Sequence, residues 1–283
     1  MQLWLLPSPP GAGENDKACR GDDRIGRENK GMRMTIKEIM KAIRFSARLE
    51  DVLVYNDRFA KYEFELTEPH RLEFLAGQYL TIQVSDKGEM RAYSICSPPA
   101  IDHGFELLID HQPNGVGVNF FKRLGLNPAQ PQIIKGLGPM GRFTLVNRLG
   151  QAEVDEQALV LVATGCGVAP MMSVLLDQLQ TKGDQRPITL YWGMRKAEDL
   201  FWLEDFNLLV DTYANFHFYP ILSQPTPEWT LSRGHVDDLL VAHDFIPQTG
   251  FYLCGGRSMI VENKQLLTDR GILPQFIHHE HFF

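Results

Sequence analysis

The sequence predicts two unlike halves in one chain, an antiparallel β-barrel followed by a doubly wound, parallel-sheet α/β domain. Three observations predict this. Short apolar runs separated by turn residues occupy the region from about Ile43 to Val146, the signature of an antiparallel barrel. After Gly150 the rhythm changes to strand, helix, strand, helix, starting with the continuous apolar run Ala158 to Ala163 that a strand buried on both faces needs. The length of 283 residues, at roughly 150 per domain, is right for about two domains.

Taken in order, residues 1–40 read as a disordered leader. A brief apolar start, Met1 to Leu6, is followed by SPPGAG and a mixed-charge stretch with no hydrophobic period. The start lacks both the basic residues and the apolar length of a secretory signal. Met32 and Met34 stand just before the first patterned segment, so the natural start is expected there. The barrel domain, 41–150, has expected strands at Phe45 to Val54, Tyr62 to Leu66, Tyr79 to Val84, Met90 to Ile95, Phe105 to Ile109 and Gln132 to Ile134. One short helix is expected at Gly117 to Leu124. Asn56-Asp57, Asp86-Lys87-Gly88 and Asp102-His103-Gly104 punctuate the strands. The boundary falls in the polar stretch Asn147 to Gln157.

In the second domain, 151–283, the strand at Ala158 to Ala163 leads to a helix carrying Met172, Leu175, Leu176 and Leu179 at helical spacing, with Gly183 as its stop. Further strands are expected at Ile188 to Trp192, Phe216 to Leu222 and Phe251 to Cys254. The matching helices are Glu198 to Val210, Val236 to Val241 and Ser258 to Thr268. Gln275 to Phe282 is expected as a last strand, with Phe276, His278, Glu280 and Phe282 on one face.

Composition excludes several classes. With 44% hydrophobic and 22% charged residues the chain is of globular make-up. A formal charge of −7 argues against a nucleic acid partner. The cysteines Cys19, Cys96, Cys166 and Cys254 form no C-x-x-C pair, which speaks against a zinc site or disulfide framework and for a reducing, cytoplasmic setting. No apolar run approaches the roughly 18 residues that span a bilayer, so no membrane span is expected.

Two segments carry chemistry. Thr164-Gly165-Cys166-Gly167-Val168-Ala169-Pro170 follows a buried strand and opens a helix, where glycines let the backbone approach an anion and helix amides point at it. By itself such a turn is equally well a tight corner. In Arg91-Ala92-Tyr93-Ser94, alternation puts Arg91 and Tyr93 on one face. An Arg can pair with a pyrophosphate, a Tyr can cover an aromatic ring, and a Ser hydroxyl can donate to a ring nitrogen. An ordinary strand with a surface Arg explains the same residues.

Together the segments resemble the ferredoxin–NADP reductase superfamily of flavoproteins. Besides Arg91, Tyr93 and Ser94, the resemblance rests on Phe74-Leu75-Ala76-Gly77-Gln78-Tyr79, Gly138-Pro139-Met140-Gly141-Arg142-Phe143, the Gly165 to Pro170 loop, Tyr191-Trp192-Gly193-Met194-Arg195 and Tyr252-Leu253-Cys254-Gly255-Gly256. It implies a flavin-binding barrel and a nucleotide-binding α/β domain, with FAD held between them and NADH or NADPH as donor. In that reading Arg91 meets the flavin phosphates, Tyr93 stacks on the ring, and Ser94 bonds the nitrogen that accepts hydride. Gly117 and Val118, at the short helix's N-terminus, take the second pyrophosphate position. The family usually has Ser or Thr where this chain has Val118, so backbone amides must carry more of the contact. Thr164, Gly165, Gly167, Pro170, Arg195, Ser223 and Gly255 are implied at the nicotinamide nucleotide, with Cys254 beside its reacting carbon.

The C-terminal Ile277-His278-His279-Glu280-His281-Phe282 is similar to the flavohaemoglobin and phenylacetate-reductase branches, which implies that Phe282 shields the flavin with Glu280 nearby. Of the three histidines only His279 and His281 share a face, so no metal site is expected. Ser223-Gln224-Pro225 lacks the Arg that NADP-specific relatives place there, which favours NADH unless Arg233 compensates. No C-x4-C-x2-C iron–sulfur spacing occurs. The expected acceptor is therefore a separate ferredoxin, oxygenase component or small molecule. The competing readings are a dehydrogenase acting directly on a carbon substrate and a non-catalytic flavin- or nucleotide-binding regulatory module.

Overall fold

The computed structural model describes residues 41–125, 130–145 and 155–281. The expectations for the leader, for most of the boundary stretch and for Phe282 lie outside the described residues. The first sheet contains β1 (Ile43–Val54), β2 (Phe59–Glu68), β3 (Tyr79–Gln83), β4 (Met90–Ser94), β5 (Gly104–Asp110) and β6 (Ile133–Met140), with α1 (Val116–Arg123) between the last two. The strand order is β4-β3-β6-β1-β2-β5, with every pairing antiparallel. Its edges meet through an Ile95–Leu107 bridge and a 3.0 Å bond from the Cys96 N–H to the Glu106 carbonyl. The sheet thereby nearly closes into the expected barrel. In β2, buried Ala60, Tyr62, Phe64 and Leu66 alternate with more exposed Lys61, Glu63 and Glu65. Phe105 packs at 5.3 Å against both Phe45 and Phe64, and each such buried ring contributes about 1.5–3 kcal/mol.

Strand β6 runs well beyond the expected Gln132 to Ile134. Its continuation, Lys-Gly-Leu-Gly-Pro-Met, reads as a turn. The glycines are there for a different reason, close approach: a Cβ on Gly136 would lie 2.3 Å from the Phe45 ring and 2.7 Å from the Thr81 carbonyl oxygen.

The second sheet comprises β7 (Ala158–Thr164), β8 (Ile188–Met194), β9 (Phe216–Leu222), β10 (Ser232–Arg233), β11 (Thr249–Gly255) and β12 (Ile277–His281). All pairings are parallel and the order is β10-β9-β8-β7-β11-β12. The chain works outward from β7 to one edge, then crosses back to place β11 on its other side. The crevice outside the C-terminal ends of β7 and β11 is thus a topological switch point, where open α/β sheets bind ligands. Helices α2 (Val168–Leu175), α3 (Leu203–Thr212), α4 (Val236–Ala242) and α5 (Arg257–Asp269) complete the domain. Helix α2 widens into π-helical turns over Leu176–Lys182, and Gly183, at φ 60°, ends it as expected.

Two further expected elements are corrected. The helix expected from Glu198 begins only at Leu203, because Ala197–Asp199 form a 3₁₀ turn and Trp202 adopts a left-handed φ of 56°. That kink turns Phe201 and Trp202 inward to pack on the barrel. The last strand begins at Ile277, not Gln275, because Pro274–Phe276 form a 3₁₀ turn. Phe276 therefore leaves the alternation that relates His278 to Glu280.

The halves share a core. Phe59, Ala76, Cys96, Leu108 and Phe143 of the first sheet region pack with the apolar residues of the second. At the β1–β2 turn, Tyr55 Oη accepts a 2.6 Å bond from Trp202 Nε1, Asn56 Nδ2 donates to the Glu198 carbonyl at 3.3 Å, and Phe59 meets Phe201 at 4.6 Å. Ser173 Oγ donates to the Ser97 carbonyl at 2.7 Å further along the seam.

Candidate functional site at the seam of the two sheets

On the barrel side, β4 and α1 bring three of the expected residues together. A Cβ on Gly117 would fall 2.2 Å from Tyr93 Oη and 3.3 Å from Arg91 Cγ, so the first turn of α1 lies directly against both side chains. Tyr93 packs edge-on to Phe121 at 4.9 Å, and burial pushes its phenol up to about 12, which keeps it neutral. Arg91 is exposed, with Nη1 on its neighbour's carbonyl, Met90 O, at 2.8 Å. Helix α1 has no acidic residue in its first turn and no side-chain cap on Gly115, which leaves its amides for an anion. Val118 is partly buried there. This glycine cradle beside an arginine and a neutral ring fits the phosphate and ring of a flavin.

On the α/β side, a cleft of about 610 Å³ opens at the switch point, and Thr164, Gly165, Arg195 and Ser223 are among the residues that line it. The loop after β7 is pinned from behind. Trp192 Nε1 donates to the Gly165 carbonyl at 3.1 Å, and Thr164 Oγ1 accepts the Gly256 N–H at 3.3 Å. Gly167, Pro170, Cys254 and Gly255 are buried and do not line the cleft. A Cβ on Gly167 would lie 2.1 Å from the Cys254 carbonyl oxygen, and one on Gly255 2.2 Å from Thr164 Oγ1. Gly167 lets backbone meet backbone and Gly255 lets the Thr164 side chain close in, and the resulting open, glycine-walled cleft fits a dinucleotide.

Between the two lies a third cluster. Register pairs Cys254 with Glu280 and Ser94 with Tyr79. A Cβ on Gly141, whose φ is 99°, would lie 2.9 Å from the Tyr79 ring and 3.3 Å from Glu280 Oε1. Glu280 thus lies beside Gly141 of the barrel, the turn residue that the Tyr79 ring also faces, and Tyr79 in turn pairs with the buried Ser94. Burial holds the Cys254 thiol well above its usual range, with Glu280 adding to the effect, so it is a neutral thiol. Burial also lifts the Glu280 carboxyl from its ordinary 4.5 to about 7. The folded state therefore binds this proton more tightly than the unfolded chain. Stability associated with Glu280 should be full below pH 4.5 and be lost as pH rises to about 7. Thermal melts across that window should show the decline in the wild type and a flatter profile in Glu280→Gln.

Several residues escaped the sequence reading. Arg58, Gln112, Asp237, Glu262 and Asn263 also line the cleft. Arg58 and Gln112 come from barrel turns that match no motif. Glu156, fully buried, accepts both oxygens' bonds from Tyr252 Oη at 3.0 and 2.9 Å and lies 3.1 Å from His278 Nε2. Only the alternation of His278 with Glu280 hinted at this. Arg233, the suggested compensating cation, is held elsewhere: its Nη2 donates to the carbonyls of Thr226, Pro227 and Trp229 at 3.3, 3.0 and 2.6 Å. Among the described residues no cluster of three His, Cys, Asp or Glu is placed to hold a metal, and no helix is long and apolar enough to cross a membrane.

A near-closed antiparallel sheet with a glycine cradle, joined to a parallel sheet with a switch-point cleft, is the architecture of a protein that binds a flavin and a nicotinamide nucleotide. Comparison with known proteins agrees. Residues 46–145 match the oxidoreductase FAD-binding domain family and residues 161–265 the oxidoreductase NAD-binding domain family. The chain belongs to the ferredoxin–NADP(H) reductase-like superfamily of FAD/NAD(P)-binding oxidoreductases. It is 32% identical over 75% of its length to the phenol hydroxylase P5 protein of Acinetobacter pittii, covering 58% of that protein. It is 29% identical over 75% of its length to the anthranilate 1,2-dioxygenase electron transfer component of Acinetobacter baylyi, covering 59% of it. The chain thus spans less than two thirds of the length of these relatives. Its fold matches a ferredoxin NADP+ reductase from Neisseria gonorrhoeae with bound FAD and NADP, with a TM-score of 0.69 at 22% identity, covering 86% of this chain and 99% of that one.

Proposed function

We propose that this reductase module oxidises NAD(P)H through FAD and passes the electrons to a separate acceptor, an oxygenase component, a ferredoxin or a small molecule. The observation that carries the reading is the convergence at one seam of the Arg91–Tyr93–Gly117 cradle, the Cys254–Glu280 pair and the glycine-walled cleft. FAD supplies the hydride acceptor and the means to release electrons singly. The residues orient and protect. Arg91 and the α1 amides take the flavin phosphates, neutral Tyr93 offers a ring face, and the Ser94 hydroxyl donates to the hydride-accepting nitrogen. Thr164, Gly165, Arg195 and Ser223 hold the dinucleotide. Cys254, a neutral thiol buried behind the glycine turn, backs the nicotinamide site and does not act as a nucleophile. Glu280 keeps a proton at the seam up to about pH 7.

NADH is favoured over NADPH. Ser223-Gln224 offers no guanidinium to a 2′-phosphate, Arg233 is occupied, and the carboxylates Asp237 and Glu262 line the same cleft. A cytoplasmic location suits the free thiols of Cys96, Cys166 and Cys254. The test is an anaerobic titration of the flavin-loaded protein with each nucleotide. The yellow flavin band should bleach with NADH at lower concentration than with NADPH. A band that neither nucleotide bleaches would mean a regulatory module, and nucleotide-dependent turnover without any flavin band would mean a direct dehydrogenase.

A further inference from the structure

The phosphate-facing loop of the cleft carries no cation of its own: Thr164 to Pro170 contains neither Lys nor Arg. A guanidinium reaches it from the other domain. Arg58, just after the β1–β2 turn, lines the cleft although it belongs to the barrel. Its backbone is fixed, with its N–H on Asn56 Oδ1 at 3.0 Å and its carbonyl accepting the His111 N–H at 2.6 Å. Asp110 grips the guanidinium from one side, accepting from Nε at 3.0 Å and from Nη2 at 2.6 Å, and the group lies 4.6 Å over the Phe59 ring. The Cys166 thiol of the loop lies against the Asp110 backbone within the field of Arg58, so the clamp sits beside the glycine turn itself. The remaining partner is looser and crosses the seam: Nη1 is 3.4 Å from Asp199 Oδ2.

We infer that Arg58 is a phosphate-binding cation of the nucleotide site, delivered by the barrel, and that a nucleotide phosphate replaces Asp199 as the partner of its Nη1. This rests on the nucleotide-binding role proposed above. Asp110 orients the fork and keeps it in place, while the long contact to Asp199 is the one that can exchange. Charge-assisted bonds to phosphate then hold barrel and α/β domain in register whenever the dinucleotide is bound. Arg58 is a binding residue, so its contribution is made equally to ground and transition states and should show in affinity, not in turnover.

The competing role is a clasp that only joins the domains, and two substitutions separate it from phosphate binding because they break the same ion pair from opposite ends. In the flavin-loaded full chain, Kd for NADH is measured at low and high salt for wild type, Arg58→Gln, Arg58→Lys and Asp199→Asn, with kcat, KM and melting temperature. Arg58→Gln should raise Kd and KM about 10-fold or more and flatten the salt dependence, with kcat within about 2-fold. Arg58→Lys should recover part of the affinity. Asp199→Asn should leave Kd unchanged or lower it, because it removes the competing carboxylate. Equal weakening by Arg58→Gln and Asp199→Asn, or an unchanged Kd in Arg58→Gln, overturns the inference. If the wild type binds neither NADH nor NADPH, the nucleotide-binding role itself fails and this inference with it.

Discussion

Gly167→Ala should cut NADH-dependent flavin reduction by about 10²-fold or more while the flavin spectrum and barrel stay intact, because a misplacement of about 1 Å can cost that much. The added Cβ would stand 2.1 Å from the Cys254 carbonyl oxygen, 2.5 Å from its carbon and 2.9 Å from the Gly255 nitrogen. All three are backbone atoms of a central strand, so the collision cannot be relieved by a rotamer change. Either the β7–α2 loop or the end of β11 has to move. The first carries Thr164 and Gly165 at the cleft and the second carries Cys254 and the approach to α5, so both shifts disturb the same nucleotide. The measurement is stopped-flow reduction at saturating and limiting NADH. The loss should fall mainly on the limiting-NADH rate if the loop moves, and on both rates if Cys254 does. Wild-type rates in Gly167→Ala would show that the loop has slack that the close contact does not suggest.

Trp202→Ala should lower stability by about 3–5 kcal/mol, the range for emptying a buried tryptophan site. Trp202 packs at 5.1 Å on Phe201, 6.0 Å on Tyr55 and 6.3 Å on Phe206, and its Nε1 holds Tyr55 Oη at 2.6 Å. Truncation therefore leaves both a cavity and a half-buried hydroxyl without its donor. The left-handed backbone at φ 56° stays unfavourable for Ala, so no local relief offsets the loss. Trp202→Phe keeps most of the packing and should cost only about 0.5–1.5 kcal/mol for the missing hydrogen bond. Thermal and denaturant melts measure both. Because Trp202 joins the 197–202 segment to the barrel turn at Tyr55 to Phe59, Trp202→Ala should also loosen the domains, seen as faster hydrogen exchange at the seam. Cooperative unfolding at the wild-type temperature would contradict the assigned role of this contact.

The expected elements held where a single period governed the segment. Ala158 to Ala163 is buried along its whole length, as its apolar run requires, and Gly183 stops its helix by taking a positive φ. They failed where long-range contacts overrode the local pattern. Gly136 and Gly138 resemble turn residues in sequence, yet they lie within β6 because Phe45 and Leu80 come too close for a side chain. Leu200 to Trp202 continue a helical pattern, yet they break it to reach Tyr55 and Phe59 on the barrel. The candidate site divides in the same way. Arg91, Tyr93, Thr164, Gly165, Arg195 and Ser223 stood in short motifs whose local geometry is carried by adjacent residues. Arg58 and the Glu156–Tyr252–His278 network did not, since their partners are 52 or more residues away for Asp110 and 96 or more for Glu156.

By itself, then, the sequence determined the two kinds of sheet, the glycine loop at the end of β7 and the strand that carries Arg91, Tyr93 and Ser94, because strand period, burial and turn chemistry are local properties of the chain. The tertiary structure alone decided that the barrel's Arg58 stands at the α/β domain's cleft, that Glu280 lies beside the barrel's Gly141, and that Arg233 is turned away to loop carbonyls. Those assignments depend on how two separately patterned domains pack across a seam. No short-range periodicity encodes such packing, because it is settled by the fit of side chains far apart in the chain.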